Sequence, residues 1–396
     1  MADIQRGEVR EVTPEMYGAV GDGVTDDTVA INAAADAARA YGIPFHFSKD
    51  YYITDSLNFT SGLGGWCIYG DGQKVTTINA NLQSSHPVFD FTATEKVYLH
   101  DLYIVGKSGG QQTAGVLFAM GGEWDKGVFP QIERVQIDGV FSKAGLANIS
   151  ADLSKIDNCL IFGPIGVFYG SNDILGINSK YETLTELRGQ NTIHSMFAGG
   201  VQGTETSGVL VDDSTGSVNA YGTNISLRGT ATEAIKVTGN HAKVFWYGCR
   251  MESISSAENT YILYAEKAPQ YSHFTGSYNI NGIGPFFNIP PDQFLTNAFI
   301  QIDPGLPDPG QSPQTALLIG GGGYIRNSII YNSKGINAEI QPGGNRGNTV
   351  YGSNTDPWDN FIAGHLSNIW YGGQKTYIGG DLYVSRKLFA GNKEII

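Results

Sequence analysis

The chain is short of charge, of cysteine and of long apolar runs. Asp, Glu, Lys and Arg make up only 16% of its 396 residues, and 25 basic residues face 38 acidic ones, for a net charge of −13. Such a surface repels phosphate, so nucleic acid and anionic membranes are not expected as partners, and a strongly anionic substrate is disfavoured. Cys67, Cys159 and Cys249 are odd in number and scattered. They offer neither a disulfide framework nor metal-type spacing, and buried thiols are expected. No run of about 18 apolar residues and no basic, apolar leader occurs, so neither membrane insertion nor a signal peptide is expected. Gly-x-Ser-x-Gly, His-Glu-x-x-His and phosphate-cradling loops are absent. The seven histidines stand singly. No cofactor and no metal are expected.

What is abundant is glycine (53), tyrosine (21) and phenylalanine (19). This is a strand- and turn-rich profile with a polar, weakly charged surface, suited to sugars. The middle of the chain repeats. Gly208 to Asp213 aligns with Ala234 to Gly239 and with Tyr261 to Glu266, at offsets of 26 and 27 residues. A second segment aligns likewise: Val218 to Ser226, Val244 to Glu252 and Ser272 to Ile280, with Gly222, Gly248 and Gly276 in step. Periods of this size mean stacked units that share one core. Strand-forming residues punctuated by Gly, Asn and Ser make each unit a β-helical coil. Strand alternation places Ala220, Trp246 and Phe274 inside, with Ile225, Met251 and Asn279. Tyr221, Tyr247 and Thr275 then face out, as do Asn224, Arg250 and Tyr278, and Ser226, Glu252 and Ile280. Looser coils precede these, at Val97 to Ile104, Ile132 to Ile137, Ile156 to Phe162 and Thr192 to Phe197.

Residues 17 to 41 carry the most specific signal. Tyr17-Gly18-Ala19-Val20-Gly21-Asp22-Gly23-Val24-Thr25-Asp26-Asp27 leads into an Ala-rich helix that stops at Gly42, before Pro44. Thr25, Asp26 or Asp27 is expected to accept from the first free helix N–H groups. The acidic turn lacks the spacing and terminal Glu of the common helix–loop–helix calcium site. The segment resembles the opening motif of the pectate-lyase superfamily, and residues 14–285 are similar in type to bacteriophage tailspike depolymerases of that superfamily. The resemblance implies an all-β fold: a right-handed parallel β-helix with an N-terminal capping helix. It also implies a homotrimeric phage tail or baseplate component, acting extracellularly at the host surface, that binds and depolymerises a bacterial surface polysaccharide. The expected organisation is an N-terminal segment (1–13), the capped β-helix (14–284), a Pro-rich linker (285–314) and a β-rich C-terminal unit (315–396) for trimerisation or glycan binding. The first dozen residues are too short for a large docking domain, so a short docking peptide or a longer parent spike is expected.

Glycosidic hydrolysis needs an acid and a partner carboxylate. Coils lie about 4.8 Å apart, so the alignment sets Asp213 and Glu266 in one slot about 9–10 Å apart, with Gly239 between. Asp212 is adjacent and points to the other face. Glu252 shares an outer face with Arg250 and Tyr247. The expected catalytic set is therefore Glu252, Asp213, Glu266 and Asp212, with Arg250, Tyr247, Tyr221 and His241 binding substrate. Glu182, Glu186 and Glu205 are further candidates. Each carboxylate has an alternative reading as a turn or ion-pair residue. A polysaccharide lyase using His241, Lys243 or Arg250 and a non-catalytic phage adhesin are the competing functions.

Overall fold

The computed structural model describes residues 10–60, 65–119, 129–149, 153–170, 174–177, 193–212, 217–239, 242–257, 259–279 and 286–304, and between 316 and 394 a set of short strands and turns. Strands stack in parallel, coil on coil, into a β-helix whose walls are a twenty-stranded long sheet and a ten-stranded short sheet. The long sheet is folded lengthwise. Some coils cross both halves with one eleven-residue strand, such as Lys96–Gly106, Phe129–Gly139 and Lys243–Ser253. Others use two, such as Leu153–Asp157 and Leu160–Gly163. The fold line is one ladder position held in left-handed backbone: Asp101, Arg134, Asn158, Ala198, Gly222 and Gly248 have φ of 59°, 51°, 50°, 49°, 60° and 60°. Side chains resist that conformation and glycine does not, which is why Gly222 and Gly248 recur in the sequence. Gly276, the expected third, has φ 152° and pairs with Cys249 beside a register shift.

The interior follows the alternation. Ala220, Trp246, Phe274, Ile225 and Met251 are all at most 1% exposed. Cys159 and Cys249 are buried, Cys67 half-buried, and all three are free thiols. The register shift moves every expected pairing beyond it by one residue: Arg250 pairs with Ser277, Met251 with Tyr278 and Glu252 with Asn279, so Tyr278 and Asn279 do not continue the ladders expected of them, and Asn279 rather than Ile280 is the partner of Glu252.

The helix, α1 (Thr28–Tyr41), buries Ile31, Ala34, Ala35 and Ala38 and ends at Gly42 in left-handed backbone (φ 64°). Of the three expected acceptors, Asp26 is the one that takes a helix N–H. Asp27 sits at the N-cap but makes no side-chain cap bond. Its buried carboxylate turns back and accepts from the Val20 and Gly21 N–H groups at 2.7 and 3.0 Å. Asp26 accepts the Thr28 N–H at 3.1 Å, and Asp22 accepts from the Val24 and Thr25 N–H groups. The acidic motif thus ties its own turn to the head of the helix.

Parallel pairing crosses the expected linker. Strand Phe299–Pro304 pairs with His273–Asn279, Ile329–Asn332 pairs with it in turn, and Thr349–Gly352 and Asn368–Gly372 follow in parallel. Among the described residues the first antiparallel partner in this sheet is Lys375–Gly379. The boundaries at 285 and 315 stand as a proposal about units, on a sheet that runs through both.

The short sheet is buried on both faces over its middle coils. Its outer side carries Ala114, Leu117, Ala147, Ile149, Phe168 and Leu210, packed with Leu175 and Ile177 from the segment after Ile165–Gly170. Strands covered on both sides need not alternate, which is why these runs read as continuous apolar stretches.

Candidate active site

Beyond that covered patch the outer face of the short sheet changes character. Three ladders run along it. Ser207, Glu233 and Tyr261 pair in sequence, as do Leu210, Lys236 and Tyr264. The third ladder corrects the alignment. Val211 pairs with Val237 and Val237 with Ala265, so Asp212, Thr238 and Glu266 fall in one slot. The offset from Glu233 to Tyr261 is 28 residues rather than 27. A slip of one residue exchanges faces in a strand, so Asp212, not Asp213, is the carboxylate aligned with Glu266. Thr238 lies between them and donates its hydroxyl to Asp212 Oδ1 at 2.6 Å. Asp213 and His241 lie outside the described residues, as do Glu182 and Glu186.

The electrostatics single out Glu233, a residue that sequence reasoning missed. It is 9% exposed. Burial raises its carboxyl above the ordinary value; Thr232 and Lys236 act against this, and the charge of Glu266 adds to it. Lys236 Nζ stands 3.5 Å from Glu266 Oε1 and 5.5 Å from the Tyr264 ring centroid. Tyr261 and Tyr264 rings lie 6.2 Å apart. One patch therefore carries a carboxyl biased toward its protonated form, an ion-paired carboxylate and two aromatic rings. Glu233 is a charge at a ladder position that Ala144, Ile165, Ser207 and Tyr261 fill on other coils, which the pairing reveals and the sequence alone does not. Glu205 is exposed, in the turn that leads into Ser207–Asp212 one coil earlier.

The other expected residues lie on the long sheet, away from this patch. Arg250 and Glu252 are paired at 3.5 Å on one half of it, and Lys243 is exposed at the start of their strand. Tyr221 and Tyr247 belong to the other half, in a run of ring contacts: Phe197–Tyr221 at 5.0 Å and Tyr221–Tyr247 at 5.1 Å are stacked along one ladder, Tyr247 meets His273 of the neighbouring ladder position tilted at 4.3 Å, and His273 stacks on Phe299 at 4.7 Å. Stacking consumes the ring faces. A sugar meeting this ladder finds ring edges and hydroxyls, not the flat apolar surfaces that carbohydrate stacking uses.

The same ladder continues toward the N-terminus as His46, Tyr69, His100, Glu133 and Asp157. Its carboxylates are engaged. Arg134 donates to both oxygens of Asp101 at 2.7 Å and also pairs with Glu133. Tyr98 donates to Glu133 at 2.6 Å, and Lys155 pairs with Asp157 at 2.9 Å. The Arg134 hydrogen bonds, with help from His100, hold the Asp101 carboxyl below the ordinary value. A group held ionised in this way is a poor proton donor.

No family model matches the chain, and no curated protein matches it. Solved structures do. ORF18 of Geobacillus virus E2 aligns with 81% of this chain and 62% of its own, at 14% identity and TM-score 0.51. The catalytic unit of a GH87 alpha-1,3-glucanase from Streptomyces thermodiastaticus aligns with 89% of this chain and 63% of its own, at 12% identity and TM-score 0.51. The Dettilon tailspike protein aligns with 91% of this chain and 68% of its own, at 14% identity and TM-score 0.49. The chain thus spans less than two thirds of the first two. What it shares with them is the parallel β-helix.

Proposed function

We propose that the chain is a virion-associated protein that binds a bacterial surface polysaccharide and hydrolyses its glycosidic bonds on the outer face of the short sheet. The observation that carries this reading is a buried carboxyl, Glu233, on the same outer face as Glu266, which Lys236 meets at 3.5 Å. Two carboxyl groups in contrasting environments are the working parts of acid-assisted sugar cleavage. Glu233 donates a proton to the departing glycosidic oxygen, and Glu266 serves as the partner carboxylate toward the anomeric carbon. Asp212, in Glu266's slot, orders the site through Thr238. Tyr261 and Tyr264 flank the sugar.

The net charge of −13 favours a neutral or weakly charged glycan. A viral protein and a glucanase share the fold, and that likeness is compatible with both halves of the proposal. The test is wild-type protein incubated with purified capsules, exopolysaccharides and O-antigens, read by new reducing ends and by ultraviolet absorbance of unsaturated sugars. Reducing ends without absorbance are expected. Absorbance would make the protein a lyase, and binding with neither signal would make it an adhesin.

A further inference from the structure

We propose that the hollow next to Glu266 is a subsite for a single pyranose ring, stacked on Phe294. The inference rests on the polysaccharide reading above and extends it to a named position.

Three successive coils place Ala268, Phe294 and Tyr324 at one ladder position. Phe294 pairs with Tyr324, and Gln270 bridges Thr296, which sets Ala268, two residues earlier, against Phe294. From the following coil, Tyr324 stacks on Phe294 at 5.6 Å and the Arg326 guanidinium lies 3.4 Å from its centroid. From the preceding coil comes only a methyl group. On the long sheet the run from Phe197 through Tyr221 to Tyr247 puts a ring at each successive coil; here the run of rings is interrupted by Ala268. The gap coincides with a cavity of about 330 Å³ lined by Lys267, Ala268, Gln270, Asp292 and Phe294. That is the lower end of the ~300–1,000 Å³ range of ligand pockets, fit for one sugar residue rather than a long chain.

The frame is rigid. Gln293 Oε1 accepts the Ala268 N–H at 2.6 Å, and its Nε2 donates to the Glu266 carbonyl at 3.1 Å. The turn bearing Glu266 is thereby pinned to the turn bearing Asp292, and the hollow opens one residue from the proposed partner carboxylate. A pyranose in it sets its apolar C–H face on the part of Phe294 that lines the cavity. Its rim hydroxyls meet the Asp292 carboxylate, the Gln270 amide and the Lys267 ammonium. A polysaccharide bound across Glu233 and Glu266 would leave one unit here, which holds the scissile bond in register.

The decisive variant closes the gap. Ala268→Phe restores ring-on-ring stacking and fills the hollow. Saturation-transfer NMR of the full chain with the methyl pyranosides of glucose, galactose, N-acetylglucosamine and rhamnose supplies the readout. At least one should receive saturation from wild type, lose it in Ala268→Phe and in Phe294→Ala, and keep it in Glu233→Gln. If Ala268→Phe does not fold, Phe294→Ala decides alone. No pyranoside signal in wild type, or an undiminished signal in the folded variants, overturns the subsite. Pyranoside binding that depends on Phe294, in a protein that cleaves no polysaccharide, keeps the subsite and removes the hydrolase. Cleavage with no loss in either variant does the reverse.

Discussion

At the scale of single residues, the chain combines carboxylates that hold the fold with one that works against it. Asp27 is of the first kind. Its buried side chain accepts two part-buried bonds from backbone N–H groups, and bonds to a charged group contribute about 1.5–3 kcal/mol each. Asp27→Ala should cost about 3 kcal/mol in urea unfolding, by the same bond energies, whereas replacing exposed Asp36, whose Arg39 contact is a surface pair, should change little. Glu233 is of the second kind. Because burial raises its carboxyl above the ordinary 4.5, the folded state holds that proton to higher pH than the unfolded state does. Its favourable contribution is full below pH 4.5 and is lost as pH climbs through the raised value. Gln mimics the protonated form. Glu233→Gln should therefore melt above wild type at pH 7, with the difference closing below pH 4.5; an equal or lower Tm at neutral pH would contradict the assignment. The sequence could not disclose Glu233. What makes it unusual is burial by neighbours one coil away, which depends on register. A single extra residue between Val237 and Tyr261 likewise hid that Asp212 is Glu266's ladder partner.

At the scale of elements, the legible features were those set by local chemistry. The Ala-rich run before Gly42 gave the helix, and the recurring Gly222 and Gly248 marked the fold line of the long sheet. Trp246, Phe274 and Met251 declared the interior by alternation. Less legible was which outward residues meet, since Tyr221, Arg250 and Glu266 are all outward but occupy two sheets. The ring ladder through Tyr221 and Tyr247 is a structural element in its own right. Tyr221 makes two ring contacts, and such pairs contribute about 0.5–1.5 kcal/mol each. Tyr221→Ala should lower unfolding free energy by about 1–3 kcal/mol on that basis, with polysaccharide affinity nearly unchanged. A large loss of affinity at unaltered stability would show that this ladder binds glycan, as the sequence reading held.

At the scale of the whole molecule, the β-helix leaves apolar side chains on its flank. Leu160 on the outer face of the long sheet is 37% exposed and Ile254, just past Lys243–Ser253, is 54% exposed. A homotrimer is the proposed assembly that covers such a flank. Sedimentation at micromolar concentration should give three chains; a monomer with intact activity would refute it. The proposed function stands on Glu233 and Glu266 cleaving a bacterial polysaccharide. The measurement that reaches it most directly is the initial rate of reducing-end release from a cleaved capsule or O-antigen by wild type, Glu233→Gln and Glu266→Gln, each first shown to be folded. General acid–base catalysis contributes about a hundred- to ten-thousand-fold, so both variants should lose turnover by that order while still binding the polymer. Near wild-type turnover in folded Glu233→Gln would contradict the account and move the chemistry off the short sheet.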